Sequence, residues 1–464
     1  MRACSAECER NVLAQVHFRL SGALRLAVGM LQRTAPLSIP PELLHLIACA
    51  ISNQPLSIRA GVEFGLLSSL NDVVFSTATP PITRAEGLKV LRCCCSSAAP
   101  TNVRTTVLHD PVILNEFCLE INEGTFLSGK IPAFSFVAEY LALLKEMVFS
   151  DEGRVNVEDC TALVSSISYL LTLNEFVTLW SSCVEVLVGC SQIRKLKEHF
   201  TIPLLDGRRT TVSQLLRIAR LGSDASCNCL AILFNLTVDS EESIRVLIAK
   251  EGGFEITASA LKLSSNDTYI VRCLQLLSRL ATTKEVQTLL METCHYSLIC
   301  QGIRDSCEHT IGTPYKIEIC GHLINTLACL HSPSPDCRKV AIERDLVRHL
   351  VEIFPEPRHD LGVITPESVI QVPRDSVPVI MLGNAARCLM PYADDKDANY
   401  DIYLNRTLNG IERLVCAMAT INDIRVRKNI AILLAKGCRM PVVRDRVSAL
   451  RGIQMMVELQ DKLI

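Results

Sequence analysis

One tryptophan, Trp180, and an aromatic content of 5% are all the large rings that 464 residues supply, which excludes a core built around stacked aromatics. Aliphatic side chains and cysteine must fill the interior of a chain that is 49% hydrophobic, a composition suited to helix packed on helix. Net charge is nearly missing as well. The 47 Lys and Arg against 49 Asp and Glu leave −2, so no global field draws the chain to polyanions and no nucleic-acid partner is expected. No run approaches the roughly 18 apolar residues needed to span a bilayer. The first residues, Met1 to Glu7, carry charge instead of the apolar centre of a secretory leader. No membrane span is expected, and the expected compartment is the cytoplasm, with nuclear or cytoskeletal association left open.

Catalytic and metal-binding patterns are scarce too. The chain has 22 cysteines, yet none stand at Cys-x-x-Cys spacing, the arrangement that places thiolates around one tetrahedral zinc. They are scattered through apolar runs, so free buried thiols are expected; Cys93-Cys94-Cys95 point in three directions on a helix, and Cys4 and Cys8 share a face without a partner pair. Glycine-rich phosphate cradles and the Gly-x-Ser-x-Gly and His-Glu-x-x-His signatures are absent. His295, His309 and His322 sit near cysteines without forming a motif. Asp394-Asp395-Lys396-Asp397 lacks the spacing of a calcium loop. No catalytic residue, cofactor or metal is therefore expected. The short basic clusters Arg194-Lys195-x-Lys197 and Arg425-x-Arg427-Lys428 are expected to be solvated helix faces.

What the chain does have is self-similarity. Cys229-Leu230-x-Ile232-Leu233-x-x-Leu236, Cys273-Leu274-x-Leu276-Leu277-x-x-Leu280 and Cys320-x-x-Leu323-Ile324-x-x-Leu327 share one spelling, with starts 44 and 47 residues apart. A helical pattern at that period marks a stacked repeat, in which no unit buries its own apolar face and neighbours complete the core. The clearest unit runs from Asp239 to Leu280. Asp239, three residues before Glu242, predicts a helix start; Gly252-Gly253 predicts a sharp stop. Phe254 to Leu263 predicts a second helix, and Ser264 to Asp267 offer caps to a third that carries Ile270, Val271, Leu274, Leu277 and Leu280.

This unit resembles the armadillo family, in the stretch LAILFNLTVDSEESIRVLIAKEGGFEITASALKL. The resemblance implies an all-α fold, a right-handed α-solenoid superhelix of three-helix repeats. It also implies that the Asn ending a third helix lies in a groove and bonds the backbone of an extended protein partner. Asn235 fits that place and Asn384 the same slot; the slot holds Arg279 in the second unit, Thr326 in the third and Ala435 near the end. A continuous asparagine ladder is thus missing, and Trp180 has no Asn four residues after it, so recognition of nuclear-import signals is not expected. The candidate groove residues are Asn235 and Asn384 for a partner's backbone, and Arg279 and Arg387 for its acidic side chains.

Weaker repeats extend the pattern, giving one expected array over 1–464 of about ten units. Residues 136–190 predict fully buried helices. Five prolines between Phe354 and Pro378 exclude a helix there, so loop insertions are expected near 354–378 and 391–405. The expected function is a protein-interaction scaffold or adaptor. A chaperone or assembly factor for a cytoskeletal client, a GTPase exchange factor of the armadillo kind and a structural subunit of a cytoskeletal or ciliary assembly remain open, as does the oligomeric state.

Overall fold

A computed structural model describes residues 1–9, 11–123, 134–204, 207, 209–239, 241–263, 266–308, 314–330, 333–356 and 377–461. Among them the regular structure is helical, and the only strand-like pairing is one bridge between Pro203 and Thr210. The protein has an all-α helical-repeat fold. It divides into two compact units, Met1–Ser240 and Glu241–Ile464.

In the second unit the expected triplet is present. Glu242–Ile248 and Phe254–Leu263 are joined by a wide turn at Ala249–Gly253, and Asp267–Leu280 follows. Gly252 has φ +110°, open only to glycine at low cost, and a Cβ on Gly253 would lie 2.9 Å from the Ile248 carbonyl oxygen. The same left-handed step precedes the second helix of other triplets, at Gly22, Gly65, Asp345, Asn409 and Arg451. The expected start at Asp239 is corrected. The first helix begins at Glu242, and Asp239, with φ +51°, serves instead to turn the chain after Thr237.

Within each unit the third helix of a triplet packs on the third helix of the next, so we term them ladder helices. In the second unit they are Asp267–Leu280, Pro314–Cys329, Val377–Leu389 and Ile424–Gly437. In the first they are Pro41–Ile51, Pro81–Cys95, Phe134–Phe149, Trp180–Gln192 and Asp224–Thr237. The repeated cysteines explain themselves here, because Cys229, Cys273 and Cys320 are all buried at the contacts between helices. Close approach needs small residues too: a Cβ on Gly189 would lie 2.4 Å from Val148 Cγ2, on the neighbouring ladder helix.

Side chains from other helices satisfy carbonyls left open at helix ends. Arg84 Nε donates to Val74 O at 2.6 Å, Gln214 Nε2 to Leu171 O at 2.6 Å and Arg154 Nε to Val148 O at 2.9 Å. Arg84 also pairs with buried Glu120 and lies 4.2 Å over the Phe136 ring. Burial pushes the Glu120 carboxyl up against the opposing pull of Arg84.

Two further expectations are corrected. Residues 136–190 form several helices rather than fully buried ones; Asp151–Asp159 buries only Gly153 and Val157, since its charged residues need water. The segment 391–405 is helical rather than a loop: Met390–Tyr392, Lys396–Asn399 and Tyr400–Leu404 are successive helical turns. Asp395 caps them through Ala398 N at 3.1 Å, and buried Tyr392, Ile402 and Tyr403 anchor them, the last by a 2.7 Å bond from its hydroxyl to Leu433 O. Most of the proline-rich stretch, 357–376, lies outside the described residues, as does His309.

Candidate binding surface on the ladder helices

Asn235 occupies the last turn of Asp224–Thr237, half-buried, because Leu233 and Leu236 beside it point into the core. Its Nδ2 donates to Ser191 Oγ of the preceding ladder helix at 3.0 Å. Its backbone oxygen accepts from Lys197 Nζ at 2.8 Å, and Lys197 also donates to Val238 O. Lys197 is buried, and that burial holds its ammonium pKa below the ordinary value. So the cluster 194–197 is not wholly a solvated face: Lys195 pairs with Glu158 and Asp159, whereas Lys197 closes a helix end.

The other three candidates lie in the second unit. Arg279 sits in the last turn of Asp267–Leu280, where its Nε is buried without a hydrogen-bond partner among the described residues. Asn384 and Arg387 share Val377–Leu389 and both reach the preceding ladder helix. Asn384 Nδ2 donates to Asn325 Oδ1 at 3.1 Å, and Arg387 Nη2 to Ala328 O at 3.0 Å. One helix further on, Asn429 Nδ2 donates to Gly383 O at 3.2 Å. Asn325 and Asn429 were missed in sequence. Asn325 precedes the expected slot residue Thr326, whose hydroxyl instead donates to His322 O at 2.9 Å within its own helix. An Asn on each of three successive ladder helices was the available signal.

These side chains support hydrogen bonding and charge pairing, the chemistry of recognition. Acid–base groups are a different matter. Burial pushes Cys300 up to about 12 and lowers the His322 imidazole, so the first is held as a thiol and the second as the neutral ring. Glu292, Cys294 and His295 bring one ligand atom each within 4.8 Å of one another. His295 Nδ1 faces the Leu289 carbonyl at 3.2 Å and the Glu292 carboxylate at 3.6 Å.

No single helix among the described residues is long and apolar enough to cross a membrane. The pair Ala162–Leu170 and Asn174–Gln192 passes that test only when joined across a 108° bend.

No family model matches the chain, and no curated protein matches its sequence. Solved structures do match its fold. An engineered protein is 16% identical with a TM-score of 0.64, covering 94% of this chain and 93% of its own. A structure from work on a phosphorylation switch controlling the interaction between cadherin and beta-catenin is 14% identical with a TM-score of 0.63, covering 99% of this chain and 86% of its own. At such identities the likeness is one of fold.

Proposed function

We propose that the chain is a non-enzymatic scaffold or adaptor of the armadillo type, acting in the cytoplasm and holding an extended or helical segment of a protein partner along its ladder helices. One observation carries this reading. Side by side, ladder helices bring polar side chains into register across neighbours, and Arg279 carries there a buried Nε with no hydrogen-bond partner among the described residues. An acidic partner side chain would complete it through charge-assisted bonds. The fold shared with a structure from work on cadherin and beta-catenin supports partner binding by such helices.

The test is capture from native cell extract with the tagged full chain. A protein partner in stoichiometric yield is expected, insensitive to nuclease and lost or reduced about tenfold or more with Arg279→Ala, the range for truncating a charged hydrogen-bonding anchor. Equal capture by the two proteins would remove Arg279 from the binding surface.

A further inference from the structure

A cavity of about 430 Å³ lies within the second unit, where the last turns of three successive ladder helices meet the helix Pro335–Glu343. Its apolar floor includes Leu327, Leu330 and Met390, and its charged lining consists of Arg338, Arg387 and Lys436. No carboxylate lines it among the described residues. The three cations differ in what already holds them. Lys436 Nζ donates to Met390 O at 3.1 Å and to Asp394 at 2.9 Å, and Arg439 also binds Asp394 at 3.0 Å. Arg387 is oriented through one Nη2 bond to Ala328 O, at 3.0 Å. The half-buried guanidinium of Arg338 makes no hydrogen bond or ion pair with any described residue. Two guanidinium groups therefore face one small cavity without an acid, while the third cation is neutralised beside it.

We propose that this cavity is a binding pocket for a phosphomonoester dianion carried on a protein partner, with Arg338 and Arg387 as its two ligating forks. Two guanidinium charges facing one cavity suit the dianion, and planar guanidinium groups bond phosphate oxygens in bidentate fashion. The volume is that of a small-ligand pocket, not a domain interface, large enough for one phosphorylated side chain of a bound segment. Asp395 and Glu343 line an adjoining cavity that Arg338 also borders; Asp395 is turned to cap Ala398 and Glu343 lies 4.0 Å from Lys339, so neither carboxylate enters the cavity that holds Arg387. The protein origin of the phosphate rests on the scaffold reading above; the pocket's affinity for phosphate does not.

The full chain is titrated with a degenerate peptide pool carrying a central phosphoserine, with the same pool carrying serine, and with inorganic phosphate as competitor. Binding of the phosphoserine pool at least about tenfold tighter than the serine pool is expected, as two charge-assisted contacts supply, and inorganic phosphate should displace it. Arg338→Ala should abolish the preference at an unchanged melting temperature, because the Arg338 side chain bonds no described residue. Equal binding of both pools would overturn the pocket and leave the scaffold standing. Phosphate binding that survives Arg338→Ala would mean an adventitious ion only, and overturns it too. Binding to vesicles bearing phosphoinositide headgroups but not to the phosphoserine pool would reject the protein partner. Binding of phosphate with neither pool bound would reject it as well, and would count against the scaffold.

Discussion

The Asp423 carboxylate, buried at the start of Ile424–Gly437, accepts the backbone N–H groups of Arg425 and Val426 at 2.8 and 3.3 Å and the Arg425 guanidinium at 2.9 Å. The Arg425 hydrogen bond, with the backbone donors behind it, holds the carboxyl below the usual aspartate range. Its folded-state pKa is depressed, so its stabilisation is complete above the unfolded value of about 3.9. It is lost as pH falls through the folded value. Asp423→Ala is expected to cost about 1 kcal/mol at neutral pH, a gap that closes as melting is repeated in increasingly acid buffer. A gap independent of pH would show that the carboxylate is not the cap. At this scale the sequence revealed residue types but not partners. Asn235 stood out as a polar residue at the end of an apolar helix and Asn384 as one within the apolar helix Val377–Leu389, whereas the Asn384–Asn325 bond depends on how two helices slide past each other. No spacing within either helix encodes that offset.

Between helices, one backbone step recurs with different residues. Glycine marks it at Gly65 and Gly252, and those turns are legible in sequence because only glycine takes positive φ at little cost. Asp345, Asn409 and Arg451 make the same step with φ of +55°, +50° and +58°, and nothing in their chemistry announces it as plainly. Arginine gains least from that conformation, since it has no short polar side chain to bond the local backbone. Replacing Arg451 by glycine is therefore expected to stabilise the protein by about 0.5–1 kcal/mol, read as a raised denaturation midpoint at unchanged slope. A lowered midpoint would mean that the Arg451 side chain supplies more than the strain removes. The segment 391–405 hid its helices for a related reason. Its run of aspartates suggested a solvated loop, yet Asp395 is a cap and the buried Tyr392, Ile402 and Tyr403 are spaced for helical turns.

Across the molecule, the three cysteine-led stretches were enough to identify stacked helices, because burial between neighbours selects the same small apolar side chain at each contact. The sequence carried far less about the surface: the Arg338, Arg387 and Lys436 cavity joins residues about 50 apart, each at a different helix end. The account turns on neighbours completing one another's core. Residues 241–280 hold helices of 7, 10 and 14 residues, lengths that are marginal in water without packing partners. The most direct measurement is circular dichroism of that single triplet, made alone and compared with the full chain. Little helix and no cooperative melt are expected from the isolated triplet; full helicity with a cooperative transition would contradict the shared core.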